Sequence, residues 1–272
     1  MVRRKEHRQH RRRLRYGRCN RLGAKLGLGG PGRSWMGRAL SLLAVLAVTA
    51  CGQPDVQPLA FGPVPWQDGE VSTYRLTAVD GNYAGTAEFS LEQLEEGWWR
   101  MRRKILAQGD EEIVEVEASD RGLRPRRSLL TRTSSDGQER VEATYVDGQV
   151  DMMLTTKQDV TTYERANIPS DARDQRTLPM VVRTLPLDAG YATRLNAYLP
   201  VAGLLDRVTV QVLKPEVVDV PAGRFDTWLV ELDTGDSESQ VWYNQEAPYQ
   251  LVKFVDGRSG GLYELANFEP GE

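Results

Sequence analysis

The sequence predicts an all-β protein, an antiparallel meander that curls into a barrel or half-barrel. Three observations point there. Asp-Gly pairs, the dipeptide of tight hairpin turns, fall at Asp80-Gly81, Asp136-Gly137, Asp147-Gly148 and Asp256-Gly257, each flanked by strand formers. Between the turns, apolar and polar residues alternate with a period of two. Only Asp171 to Leu185 looks helical, and Pro179 and Pro186 keep any helix there short.

The N-terminus is read differently. Ala39 to Ala50 is an apolar run of twelve residues with only Ser41 and Thr49 polar. A bilayer span needs about 20 apolar residues, so the run fits the h-region of a signal peptide. Val48-Thr49-Ala50-Cys51 then resembles the lipobox of bacterial lipoproteins. That resemblance implies cleavage before Cys51, lipid on its sulfur, and a firm membrane anchor once two or three acyl chains are present. Residues 1–50 are the signal peptide with a basic N-terminal extension. Met36-Gly37-Arg38 would make an ordinary n-region, so translation is expected to start at Met36; a long n-region or a basic nucleic-acid-binding arm are the alternatives. Residues 51–69, with Pro54, Pro58, Pro63 and Pro65, form a lipidated proline-rich tether. Its Leu59, Phe61 and Trp66 are expected against the domain's own edge rather than the membrane. Residues 70–272 form a single antiparallel β domain.

Removing the leader changes the charge. Residues 1–50 hold 13 of the 35 Lys+Arg and one of the 38 Asp+Glu, leaving 22 basic and 37 acidic groups, a net charge of −15. That disfavours nucleic acid, whose nonspecific binding needs positive charge. His7, His10 and Cys19 also lie in the leader, so the part from Cys51 on has no histidine and no second cysteine. Ser-His-Asp and Cys-His nucleophiles cannot be built, nor zinc sites with such ligands. No cofactor and no metal is expected, and no catalytic residue stands out.

The strand pattern is most explicit early in the domain. In "WWRMRRKIL" one face carries Trp99, Met101 and Ile105 and the other Arg100, Arg102 and Lys104. A Gly109-Asp110 turn into "EEIVEVEAS" would pair Ile105 with Val114, Met101 with Ala118, Lys104 with Glu115 and Arg102 with Glu117. The basic stripe then becomes a cross-strand ladder contributing about 0.2–1 kcal/mol per pair. Arg103, on the apolar face, fits only the end of a sheet or a ligand contact. Adjacent Trp98 and Trp99 must point to opposite faces, one into the core and the other to a barrel mouth or under the tether. The Asp147-Gly148 hairpin would set Tyr145 opposite Val150, Ala143 opposite Met152 and Val141 opposite Leu154. Later strands are expected at Ala192–Leu199, Arg207–Leu213, Phe225–Leu232, Gln240–Tyr243, Leu251–Val255 and Leu262–Phe268.

The last third carries a resemblance. Pro186-Leu187 with Gly190, Pro221-Ala222-Gly223 with Phe225-Asp226, Trp242-Tyr243 and Pro248 match the layout of the bacterial envelope proteins grouped as domain-of-unknown-function family 3108. The match runs from about Leu178 to Phe268. It implies an exported antiparallel, barrel-like β-fold and no particular activity. Pro221 and Gly223 suit a turn, Phe225 and Trp228 packing, and Asp226 a bond to turn amides. "PAGRFD" therefore reads as a structural corner.

Chemistry is thin. Carboxylate pairs such as Glu111-Glu112, Glu115 with Glu117, and Asp236 with Glu238 arise by chance among so many acids. Asp233-x-Gly235-Asp236-x-Glu238 lacks EF-hand spacing and reads as an acidic hairpin tip. The leading expectation is a lipid-anchored protein of the cell envelope, not an enzyme, with a binding or assembly role toward a lipid, an apolar ligand or an envelope protein. A deep apolar cavity on the concave face would support it. The alternatives are a carboxylate-dependent hydrolase acting on envelope glycans and a protein-interaction module.

Overall fold

The computed structural model describes residues 55–272. The signal peptide, Met36, the lipobox residues Val48, Thr49 and Ala50, and Cys51 lie outside them. Fifteen strands follow in order: β1 (Glu70–Thr77), β2 (Tyr83–Glu95), β3 (Trp98–Ala107), β4 (Asp110–Ser119), β5 (Pro125–Ser134), β6 (Gly137–Val146), β7 (Gln149–Thr155), β8 (Thr161–Asn167), β9 (Arg173–Asp174), β10 (Ala192–Leu199), β11 (Leu204–Val220), β12 (Gly223–Asp233), β13 (Glu238–Asn244), β14 (Leu251–Val255) and β15 (Leu262–Glu269). One short helix, α1 (Leu178–Val182), lies between β9 and β10 behind a 3₁₀ turn at Gln175–Thr177. Pro179 stands in the first turn of α1, where its missing N–H costs nothing.

All fifteen strands form one sheet, ordered β8 to β1 and then β15 down to β9. It is antiparallel throughout except for the β9–β10 pair. Two meanders are thus joined at their outer ends, where β1 pairs with β15. Hydrogen bonding does not close the sheet. Instead it rolls past itself. In β10, Leu195 and Ala197 face the main core, while Tyr198 on the opposite face packs with Ala143, Val150 and Met152 of β6 and β7. Tyr145 of β6 donates to Asp174 of β9 at 2.9 Å. Side chains rather than a ladder make the seam.

Hairpin registers follow local chemistry. Asp147 (φ +41°) and Gly148 (φ +82°) make the expected two-residue turn, and Tyr145–Val150, Ala143–Met152 and Val141–Leu154 pair as read. The other Asp-Gly pairs do not themselves form the turn dipeptide: β5–β6 is a two-residue turn on Ser135-Asp136 with Gly137 opening β6, and the remaining two sit in longer loops. The β3–β4 register is corrected. Gln108-Gly109 forms the turn, so Ile105 pairs with Glu112, Met101 with Val116, Arg102 with Glu115 and Arg100 with Glu117. A shift of two residues preserves the faces. The ladder survives in new pairs: Arg102–Glu115 at 3.3 Å, Lys104–Glu111 at 2.8 Å and Arg100–Glu92 at 2.7 Å.

The interior is full. Residues 175–187 leave β9 and run through the concave face, and Leu178, Met180, Val181, Val182, Leu185 and Leu187 pack there against Tyr74, Leu76, Phe89, Leu91, Trp99 and Met101. Tyr243 donates to the Pro179 carbonyl at 2.9 Å, which binds the plug to β13. The anticipated deep apolar cavity is therefore replaced by the protein's own chain, because a roll this wide needs an internal filler to reach close packing.

One end of the roll is sealed by the segment before β1. Gln57 and Gly62 donate to the Ala192 and Thr184 carbonyls at 2.8 and 2.7 Å. Trp66 is buried edge-on against Trp99, with centroids 6.1 Å apart, and Leu59 and Phe61 pack on the core. The stretch read as tether thus docks on the domain from Gln57 onward. Beneath it Arg183 grips Glu70 through both carboxylate oxygens, at 2.6 and 2.9 Å, and lies over the Trp66 ring. Trp98 faces outward under the Arg126 guanidinium, 4.3 Å from its centroid, rather than at a mouth or under the tether.

Candidate site at the open mouth

The opposite end holds a cleft of about 160 Å³. Four strand ends and one mid-strand residue build it: Leu199 from β10, Leu232 from β12, Phe254 from β14 and Tyr263 from β15, with Arg103 from the middle of β3. The start of the plug supplies its floor through Gln175, Arg176 and Leu178. Arg103 stands on the inner face, where alternation demanded an apolar residue, because Glu112 meets it at 2.6 Å and Arg132 meets the same carboxylate at 2.8 Å. Burial pushes the Glu112 pKa up, but the two guanidinium groups outweigh it and hold the group below the ordinary carboxylate range.

Arg176 is anchored as firmly. Its Nη2 reaches Asp174 at 2.7 Å and Ser128 at 2.7 Å, and its Nε reaches Asp174 at 2.9 Å. Asp174 is fully buried, which raises its pKa, yet the charge and hydrogen bonds of Arg176 prevail and the net shift is downward. Tyr145, bonded to that carboxylate, is pushed well up by burial and by the Asp174 charge. Arg258 closes the rim on Asp206 at 2.9 Å.

Five buried side-chain polar atoms lack a partner among the described residues, and three belong to this cleft: Arg103 Nε, Arg176 Nη1 and Gln175 Oε1. Buried polar groups are nearly always hydrogen-bonded, so their concentration in one place singles it out. A wider groove of about 1040 Å³ beside the sealed end is less telling. Its buried cation, Arg173, already donates to the Gly122 and Asp171 carbonyls and stacks on Phe61. Burial, helped by Arg124, brings the Arg173 pKa down to about 10.

The signature residues lie elsewhere. Pro221 and Ala222 form the tip of the β11–β12 hairpin, and Gly223 takes a φ of +135° just after it. The hairpin bends at a bulge near Leu213, and the Ala222 N–H reaches the Leu265 carbonyl of β15 at 2.9 Å. Underneath, Trp242 packs with Val218, Leu229 and Val252 on the outer face of the sheet, with Phe225 at the edge. Trp228 faces inward, so Phe225 and Trp228 serve opposite faces without a bulge in β12. Asp226 is corrected: its side chain is exposed and bonds no turn amide, and only its carbonyl is used, by the Gln245 N–H. None of these residues lines the mouth cleft.

The acidic motifs settle plainly. Asp233 accepts from the Gly235 N–H at 2.6 Å, within a hairpin tip. Among the described residues no group of three or more His, Cys, Asp or Glu is placed to hold a metal. Glu231 has a raised pKa through partial burial and the neighbouring Glu238, but the two share an outer strand face away from the cleft.

Sequence reasoning missed Gln175, Arg176 and Arg258. For Arg103 the signal was legible, an arginine out of phase in an apolar stripe. The other three sit in irregular segments with no period to violate.

Comparison with known proteins adds the family. No curated protein matches the chain. A β-barrel-like protein of domain-of-unknown-function family 1849 from Brucella abortus is 10% identical, with a TM-score of 0.49 over 75% of this chain and 98% of that one. A candidate exported protein with a YmcC-like fold from Bacteroides fragilis is 13% identical, with a TM-score of 0.30 over 77% and 100%. A candidate lipoprotein from Parabacteroides distasonis is 13% identical, with a TM-score of 0.29 over 78% and 100%. Likenesses this distant transfer neither ligand nor activity. The model of a family described as protein of unknown function (DUF3108), however, matches residues 63–257, from the docked segment to the last hairpin, and the chain belongs to that family.

Proposed function

We propose that this is a lipid-anchored protein of the cell envelope whose β domain binds a ligand without transforming it, at the mouth cleft rather than in a hollow barrel. The observation that carries the reading is the contrast inside one roll: an interior packed with its own chain, and a single end where a cleft gathers three unpartnered buried polar atoms. The anchor is argued from the apolar run and the lipobox-like Val48-Thr49-Ala50-Cys51. Docking of residues from Gln57 onward leaves a short span between Cys51 and the sealed end, which would turn the mouth away from the membrane. The hydrolase reading draws nothing from Glu231 and Glu238, whose carboxyls converge on no cleft.

Purification from the native host without lipid stripping, followed by intact mass spectrometry, tests both halves. The expected result is an acylated Cys51 and a co-purifying small molecule. An unacylated chain recovered from the cell interior would overturn the anchor. A protein that is recovered ligand-free and also binds no small molecule offered to it afterwards would overturn the binding role.

A further inference from the structure

The guanidinium groups at the mouth cleft are all matched by carboxylates. Arg103 and Arg132 share Glu112, Arg132 also reaches Glu139 at 3.4 Å, Arg176 holds Asp174, Arg258 holds Asp206, and Asp256, bonded to the Arg258 N–H and the Ser259 hydroxyl, lines the wall. Four guanidinium groups thus stand among five carboxylates. What is unfilled is hydrogen-bonding capacity. Arg103 Nε and Arg176 Nη1 are donors. Gln175 Oε1 is an acceptor, because Gln175 Nε2 is held by Asp206 at 3.0 Å and fixes which way the amide points. An anion would satisfy the donors, leave the acceptor empty, and bring an uncompensated charge to guanidinium groups that carboxylates already match. A hydroxyl group both donates and accepts. The walls are apolar at Leu178, Leu199, Leu232 and Phe254, with the Tyr263 ring beside them. The space amounts to about five waters, enough for a small ring or a glycerol.

We propose that the mouth cleft binds an uncharged polyhydroxylated group, the sugar or glycerol end of an envelope glycan or glycolipid. The inference rests on the ligand-binding reading above. Arg103 and Arg176 donate to ring or chain hydroxyl oxygens, a hydroxyl donates to Gln175, and the C–H face of the ligand lies on Phe254 and Tyr263.

The test uses the mature lipidated protein in a sugar-free zwitterionic detergent. Methyl β-D-glucoside, methyl α-D-mannoside, N-acetylglucosamine, glycerol and octyl β-D-glucoside are the hydroxylated probes, and inorganic phosphate is the anionic one. Binding is read by saturation-transfer NMR and calorimetry. At least one hydroxylated probe binds and phosphate does not. Arg103→Lys keeps the charge beside Glu112 but loses Nε, and weakens that binding about tenfold. Ser237→Trp, at the half-buried rim of the cleft, blocks it. Much tighter binding of the octyl than of the methyl glucoside identifies a glycolipid, and equal binding a free glycan. Phosphate binding alone, no hydroxylated probe binding, or affinities unchanged by both variants would overturn the proposal. A native protein carrying a molecule without hydroxyl groups would overturn this inference and leave the binding reading standing. An empty native protein that also binds no probe would end both.

Discussion

The two ends of the roll are made from the same strands and put to opposite uses. At the sealed end the buried pair is bidentate, both partners are 1–2% exposed, and two tryptophans and a docked segment exclude water. Every Arg183 nitrogen there is used, while the Trp66 indole N–H lacks a partner among the described residues. At the mouth Arg103 and Arg176 are paired but keep spare donors, and the wall is open. Satisfied polar groups in a dry place fix a structure, and under-satisfied ones beside a cleft hold capacity for a ligand. The family signature is split. Pro248, whose carbonyl accepts from Arg183 at 2.8 and 3.2 Å, belongs to the sealed end, and Leu187 to the plug. Pro221, Gly223, Phe225 and Trp242 belong to the hairpin and its packing on the outer face, and none of the six lines the mouth cleft.

The comparison can be broken by substitution. Glu70→Ala is expected to have the largest effect, because it strands the Arg183 charge in the core; denaturant titration should show a loss of about 3–5 kcal/mol. Little change there would mean the sealed end is not the structural one. Trp66→Ala is expected to cost about 3 kcal/mol by opening a cavity against Trp99, and limited proteolysis should then cut near residues 57–66. The third prediction concerns acid. Asp174 is held below its unfolded pKa, about 3.9. Its stabilising contribution is therefore complete above that value and lost as the pH falls through the folded pKa. Midpoints measured at pH 7, 5 and 3 should drop mainly in the last interval, and Asp174→Asn should be less stable at pH 7 with a shallower acid loss. Arg103→Lys at the mouth should change stability by under about 1 kcal/mol, since Arg132 still serves Glu112. A loss as large as that of Glu70→Ala would erase the distinction between the ends. Smallest of all, Lys104→Ala on the outer ladder should cost about 0.5 kcal/mol or less.

Much of the sheet was legible because alternation and turn chemistry are local. Ala192–Leu199 and Leu251–Val255 coincide with β10 and β14, and the Asp147-Gly148 hairpin has the expected register. The β3–β4 register slipped by two because Gln108, Gly109 and Asp110 all suit a turn, and only Gln108-Gly109 brings Arg103 within reach of Glu112. The site was legible in one residue, Arg103, whose misfit its neighbours could not explain. Its partners are distant in sequence, and no period marks them.

By itself the sequence determined the strand class, most strand positions, the inner and outer faces, and the absence of histidine and thiol chemistry beyond Cys51, since each follows from residue type and near-neighbour spacing. Tertiary structure alone decided that β1 joins β15, that residues 175–187 turn inward as a plug, and that β10 slides beneath β6 and β7. Those outcomes depend on which surfaces fit once the sheet has curled, and a free energy of packing summed over the whole interior is written in no single stretch of the chain.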